Sequence, residues 1–363
     1  MEYNNTDNTK NKLLPWSEKY RPCSIGNVIY HDKIIKAIIN YLDANKLPHL
    51  LFYGPPGTGK TSSILAVAKH YYGEDFNNMV LVLNASEERG IETVRNRIKQ
   101  FVTTCGLAEN ESTPKFKLII LDEIDAMTDD AQAILRKVIE KYVNNVRFCF
   151  ICNYLKKINP AIQSRCVIFR FKPIPYENMY NFVLEVCKNE KIQMKKSAIK
   201  LVIERANGDM RKLLNILQSI YMYVGSSDIA TLSNSEFKKI NNDCDEEDEY
   251  IIINENYVSK ILSCPTGECI KKILKFIQEN TLDKSYDYVN NIMINDGISL
   301  MELISCIYDC FMNKIINGDN QIIKYELDKS VEIIKKMSLI NENLTYCNND
   351  HIQIISFLSI FYL

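Results

Sequence analysis

Between Leu50 and Phe171 the chain alternates short apolar runs with stretches whose apolar residues recur at helical spacing. That alternation predicts a parallel sheet with crossover helices. The expected strands are 50 to 53, Met79 to Leu83, Leu118 to Leu121, Val146 to Cys152 and Val167 to Phe171. After Pro173 and Pro175 the strand pattern stops, and Met210, Leu213, Leu214, Leu217, Ile220 and Tyr221 keep the spacing of one buried helical stripe. Further stripes follow at Ile270, Ile273, Leu274 and Ile277, and at Leu300, Leu303, Ile304, Ile307 and Phe311, the latter opened by a Ser299/Glu302 capping box. The apolar stretch from His351 to Leu363 is too short for the about 20 residues that cross a bilayer, and predicts a final packed helix.

A chain of 363 residues exceeds one compact core, so two or three domains are expected. Two polar segments interrupt the pattern. Residues 1 to 13 are Asn-rich with no apolar h-region, and predict a disordered tail rather than a signal peptide. Between Gly225 and Asn256 the chain turns polar, with six acidic residues among the seven from Asp243 to Glu249, which predicts a mobile linker rather than an acidic docking site. The formal net charge is -1, so any nucleic-acid contact requires a local basic face rather than an overall field. The twelve cysteines, in a chain without an export signal, read as reduced thiols. Cys149 and Cys152 form a CxxC inside a predicted strand, where residues three apart point to opposite faces, and Cys306 and Cys310 lack companion ligands, so no metal-thiolate site is expected.

The densest chemistry is Gly54-Pro55-Pro56-Gly57-Thr58-Gly59-Lys60-Thr61, a GxxxxGK[ST] loop between an apolar strand and a helix-forming run. Glycines let backbone N–H groups converge on a triphosphate, Lys60 meets the β- and γ-phosphates, and Thr61 holds magnesium. The run Leu118 to Leu121 ends in Asp122 and Glu123, with Asp122 directed at magnesium and Glu123 at the attacking water. Asn153 ends the strand 146 to 152 and can bind that water and a γ-phosphate oxygen. Asp209 reads as the N-cap of a helix on which Arg211 opposes the macrodipole, a conflict that an anion would resolve. Asn159 to Cys166 reads as a short capped helix running into the last strand, and Arg165 at its end is expected to supply charge to the ATP of a neighbouring subunit.

These residues, from Leu14-Pro15-Trp16-Ser17-Glu18-Lys19-Tyr20-Arg21-Pro22 through GPPGTGKT, NASEERGI, LDEIDAM and the SRC of 164 to 166 to GDMRK, resemble the small subunits of replication factor C, the sliding-clamp loader of the AAA+ superfamily. FCFICNY at 148 to 154 and LPHLLFYGPPGTGKTSSILA look most like its subunit 5 class, called subunit 3 in fungi. The resemblance implies an α/β P-loop AAA+ domain (14–172), a small helical lid (173–240), a linker (241–257) and an all-α collar (258–363). It implies a magnesium-dependent ATPase in a nuclear five-membered ring with other replication factor C subunits, acting on the sliding clamp and primer-template DNA, with no membrane. On this resemblance the loop from Gly54 to Thr61 with Ser62 binds ATP, and Tyr20, Arg21 and Val28 are adenine-side contacts. Asn153 is sensor 1, Arg211 sensor 2 and Arg165 the finger acting in trans. Arg89, Arg95 and Lys99 then lie on a helix that follows DNA phosphates. Departures from the family pattern are DEID for DEAD, SEERG for SDDRG, and the lack of an aromatic-bearing clamp-contact stretch in Cys105 to Pro114. Two other readings are a branch-migration motor and a structural subunit that holds ATP without hydrolysing it.

Overall fold

Near-continuous apolar strands are what a sheet covered on both faces demands. The computed structural model describes residues 14–86, 91–104, 116–225, 252–317, 327–346 and 350–362. Strands β1 (His49–Tyr53), β2 (Val80–Asn84), β3 (Lys117–Asp122), β4 (Val146–Cys152) and β5 (Cys166–Arg170) form one parallel sheet in the order β2-β3-β4-β1-β5. Alternate residues of each strand face opposite sides. Leu50, Phe52, Leu118, Ile120, Cys149 and Ile151 join one core with helices α2 (Asp32–Asp43) and α3 (Lys60–Tyr72), which follow a short α1 (Trp16–Lys19). Leu51, Ile119, Leu121, Phe148, Phe150 and Cys152 join the other. A four-residue α4 (Phe76–Met79) precedes β2, and α5 (Ile91–Thr104) and α6 (Asp129–Tyr142) cover the second face through Ile98, Leu135 and Ile139.

The expected strands all form, β4 with the bounds expected and the others with ends shifted by one residue. Met79 closes α4 instead of opening β2. Phe171 leaves β5, although its amide still donates to the Tyr53 carbonyl (2.8 Å) and its ring is fully buried. Cys149 and Cys152 do face opposite cores, and burial pushes the Cys152 thiol up to about 12. The described cysteines are free thiols, and no metal-ligating cluster occurs among the described residues.

After a short α7 (Pro160–Gln163) and β5, the chain continues as α8 (Tyr176–Asn189), β6 (Gln193–Met194), α9 (Lys196–Ala206) and α10 (Met210–Gly225). On α10, Leu213, Leu214, Leu217 and Ile220 are buried as expected, but Tyr221 is exposed and Ile216 takes a buried place instead. A second, two-residue strand β7 (Ile252–Ile253) pairs in parallel with β6, a ladder too short to show in the hydrophobic pattern, and it lies within the range expected as linker. By internal contacts the chain divides into two compact units, Met1–Glu190 with Val202–Gln218 and Lys191–Leu201 with Ser219–Leu363.

In the second unit, α11 (Glu255–Ile261), α12 (Gly267–Glu279), α13 (Leu282–Asp296), α14 (Leu300–Asn317), α15 (Leu327–Leu344) and α16 (Asp350–Ser359) follow one another. The two expected stripes on α12 and α14 are fully buried and share a core with Val289, Met337, Phe357 and Leu358. Ser299 caps α14, its Oγ accepting from the Glu302 amide (3.2 Å). The tail expected at 1 to 13, Arg89, the segment Cys105 to Pro114 and the acidic run 243 to 249 lie outside the described residues. Among the described residues, no helix is long and apolar enough to cross a membrane.

Where the sheet begins, the His49 ring is buried and its Nδ1 accepts from the Phe148 amide (3.2 Å). Burial, with Arg147 alongside, holds this imidazole down at about 4, so it is neutral in the folded chain. In an unfolded chain His titrates near 6.5, so the unfolded state takes up the proton first as pH falls. The stability from neutral His49 is therefore intact above pH ~6.5 and declines toward pH ~4, by at most about 2 kcal/mol at pH ~5. Urea midpoints at neutral pH and at pH ~5 check this. The wild-type chain should lose more stability than His49→Gln, whose amide oxygen can take the same hydrogen bond without titrating.

Candidate functional site

The strand order sets the carboxyl ends of β3, β4 and β1 side by side, and a short loop leaves each. The loop after β1 runs from Gly54 to Gly59 into α3. Gly54 (φ 151°) and Gly57 (φ 65°) adopt backbone conformations that disfavour a Cβ, and each also faces a close approach from its own chain. A Cβ on Gly54 would lie 2.1 Å from the Phe171 carbonyl oxygen, and one on Gly57 would lie 1.7 Å from Asp209 Oδ1. The Gly57 carbonyl in turn accepts from the Met210 amide (3.1 Å).

Lys60 is buried at the first turn of α3, yet its ammonium reaches three neutral oxygens: the carbonyls of Gly54 (2.8 Å) and Pro55 (2.8 Å), and Asn153 Oδ1 (3.0 Å). Burial lowers its pKa, against partial support from the Asp122 carboxylate. A cation held this way by uncharged acceptors suits an incoming anion, which would cancel the charge those oxygens leave standing. One residue on, Thr61 Oγ1 donates to Asp122 Oδ2 (2.6 Å). A hydroxyl and a carboxylate oxygen in contact at a strand end are the hard donors that magnesium selects, so the residues present fit that ion.

Asp122 Oδ1 accepts from the amide of Glu123 (2.9 Å). Glu123 itself is exposed and left-handed (φ 56°), a conformation that costs a non-glycine residue about 1 kcal/mol. Past this bend, Glu123 lines the cleft. Asn153, half-buried after β4, completes this end.

The other end of the same cleft is built from the amino-terminal strap. Trp16 is buried and its amide donates to Gln218 Oε1 (2.9 Å). Tyr20 donates its hydroxyl to Glu190, which also accepts from Lys19, and the Tyr20 ring meets Trp16 and Phe182 edge-on. Burial and then the Glu190 carboxylate raise the Tyr20 phenol well above its ordinary value. The strap is thus fastened to α8 and α10 rather than to the sheet.

Of the residues expected from sequence, Tyr20, Arg21, Val28, Pro56, Gly57, Thr58, Gly59, Lys60, Thr61, Ser62, Asp122, Glu123, Asn153 and Arg211 line this one cleft. Gly54 and Pro55 stand behind it and contribute their carbonyls to Lys60. Asp209 caps α10 as expected, Oδ1 accepting from the amides of Arg211 (2.8 Å) and Lys212 (3.0 Å). The helix start that seemed to want an outside anion therefore already carries one, and Arg211 is exposed with its head on the cleft.

Arg165 is not among the cleft residues. Within this chain it donates to the Ala161 carbonyl (2.6 Å) and to Glu140 Oε1 (2.7 Å), the latter shared with Arg136. Arg95 and Lys99 are exposed on α5 and do not line the cleft either. Sequence reasoning missed Phe182 and Ile174 on the cleft wall and Glu190 behind Tyr20, because each arrives from a distant segment, and it read Leu214, one turn beyond Arg211, as core alone. Asp125 closes the LDEID run, and sequence alone assigns it no role.

A sequence model of the ATPase family associated with various cellular activities (AAA) matches residues 50–174, and one of the replication factor C C-terminal domain matches residues 265–359. Replication factor C subunit 3 of Saccharomyces cerevisiae is 40% identical over 96% of this chain and 93% of its own length. Replication factor C subunit 5 of Homo sapiens is 36% identical over 97% and 93%, and that of Arabidopsis thaliana 39% over 97% and 88%. Among solved structures, the RuvB Holliday junction branch migration motor of Thermotoga maritima superposes with a TM-score of 0.50 at 16% identity, covering 78% of this chain and 88% of that one, a likeness of fold alone.

Proposed function

The chain belongs to the replication factor C family, and from that membership and the cleft we propose that it serves as an ATP-driven subunit of the heteropentameric loader that places the sliding clamp on primer-template DNA. The observation that carries the reading is the convergence of Lys60, Thr61, Asp122, Glu123, Asn153 and Arg211 on one cleft whose far end is closed by Tyr20, Arg21 and Val28. In this reading the loop amides and Lys60 hold the phosphates of ATP, and Tyr20, Arg21 and Val28 bound the adenine. Thr61 and Asp122 hold magnesium, which supplies charge neutralisation to the phosphates. Glu123 orients the attacking water and accepts its proton, while Asn153 fixes that water against the terminal phosphate. Arg211, carried on the same helical segment that grips the strap, reports whether a third phosphate is present.

Arg165 fits action on a neighbouring subunit, since its own cleft does not contain it and its ion-pair partner Glu140 is exposed. Arg95 and Lys99 offer exposed cations to DNA phosphates, and Arg89 would extend them. The helices from α12 onward, which span the matched replication factor C segment, are proposed as the collar that joins neighbouring subunits. The task on primed DNA places the complex in the nucleus. The branch-migration alternative draws only on a shared fold, whereas the replication factor C relatives match along nearly the whole chain.

Three outcomes are expected. Glu123→Gln should leave ATP affinity within about two-fold and lower hydrolysis at this site on the order of a hundred-fold, read by single-turnover hydrolysis in the reconstituted complex. Normal turnover by that variant would remove Glu123 as the base. Arg165→Ala should leave nucleotide binding by the isolated chain unchanged and slow the complex, and weakened binding in the isolated chain would count against a role in trans. Replacing Arg95 and Lys99 together by Ala should reduce the slope of log affinity against log salt for primed DNA by about 2, measured by fluorescence anisotropy.

A further inference from the structure

Beyond its last ladder partners, β4 runs on into Asn153 and Tyr154, whose amides lie past the paired register Tyr53↔Cys152 and Leu121↔Phe150. Both amides donate to the same oxygen, Oδ2 of Asp125, at 3.2 Å each. Asp125 does not line the cleft, so it has no direct route to the nucleotide. It sits in the one-turn helix Ile124–Ala126, which is pinned from below by the fully buried Ile124 and closed by the Ala126 amide on the Glu123 carbonyl (2.9 Å). That turn begins at Glu123. One carboxylate therefore ties the loop bearing Glu123 to the loop bearing Asn153, and Asn153 passes the constraint on through its Oδ1 to Lys60 (3.0 Å).

We propose that Asp125 is a positioning residue for hydrolysis, acting through Asn153: it fixes the height of the Asn153 side chain over the cleft and the spacing between Asn153 and Glu123. The chemistry requires this kind of support. A water must be held by two groups at once, and a displacement of about 1 Å in either loop costs rate without costing binding. Two charge-assisted bonds from successive backbone amides determine where a loop sits far more tightly than one bond from a side chain would. The inference rests on the hydrolysis reading above, and the test separates the two.

Complexes are reconstituted with this chain as wild type, Asn153→Ala, Asp125→Ala, Asp125→Asn, Asp125→Glu and the Asn153→Ala/Asp125→Ala pair. ATP turnover of each complex and nucleotide affinity of each full-length chain are then measured. Asp125→Ala is expected to lose at least half of the turnover that Asn153→Ala loses, with affinity within about two-fold of wild type. Asp125→Asn should recover most of it, because its amide oxygen can accept from both backbone groups. Asp125→Glu keeps the charge but moves the oxygen by one methylene, and should fall with Asp125→Ala. The double variant should be no worse than Asn153→Ala alone, as for residues acting through one another. If Asn153→Ala turns over normally, the hydrolysis reading itself fails. If Asn153→Ala is impaired while Asp125→Ala and Asp125→Glu behave as wild type, or if the losses in the double variant add, the positioning role is overturned and the reading of Asn153 stands.

Discussion

The Lys60 ammonium lies almost out of reach of solvent, and the three oxygens that hold it carry no charge to cancel its own. Burial of an uncompensated cation is costly, and here its pKa is pulled down accordingly. Everything around it is arranged to keep that cation in place while leaving room for an anion. The carbonyls of Gly54 and Pro55 turn inward because the loop is bent at left-handed glycines. Asn153 reaches across from the end of β4, the strand paired directly with β1, and Asp122 stands near enough to moderate the charge without pairing with it directly.

The parallel sheet makes this economical. Strands β1, β3 and β4 are neighbours, all point the same way, and are each buried on both faces. Their ends therefore arrive at one level, and Asp122 at the end of β3, Asn153 just after β4 and Pro56 three residues after β1 all reach the cleft. The departure at position 124 from the family's DEAD motif fits the same logic. Ile124 is fully buried against Leu121 and Leu135, so the larger side chain fills the core beneath the turn, while Asp122 and Glu123 line the cleft and Asp125 meets the amides of Asn153 and Tyr154.

Most of the sheet was legible because its strands are short apolar runs separated by helical patterns, and local pattern sufficed to find all five. The phosphate loop, Asp122, Glu123, Asn153 and the Asp209 cap were legible for a related reason: each is local to a strand end or a helix start. What escaped was non-local. The Glu190 carboxylate meets Tyr20 across 170 residues, and nothing in either neighbourhood announces the other. Sequence explains glycine at 57 by the convergence of loop amides, but Asp209 is what a side chain there would strike first. Tyr221 fits the helical period of α10 and is nonetheless exposed, because periodicity gives a direction around the helix and not how far the covering layer extends. The β6–β7 ladder, two residues long on each side, has no period at all.

The amino-terminal strap lines the same cleft. Trp16 is the sole tryptophan of the chain, it is buried, its ring meets Tyr20, and its backbone is tied to Gln218 on α10. Indole emission depends steeply on local polarity and on the groups that quench it, so this protein carries a native optical reporter at the place where strap and helix meet. Any rearrangement that loosens that fastening would change the colour or brightness of the emitted light without a label having been attached.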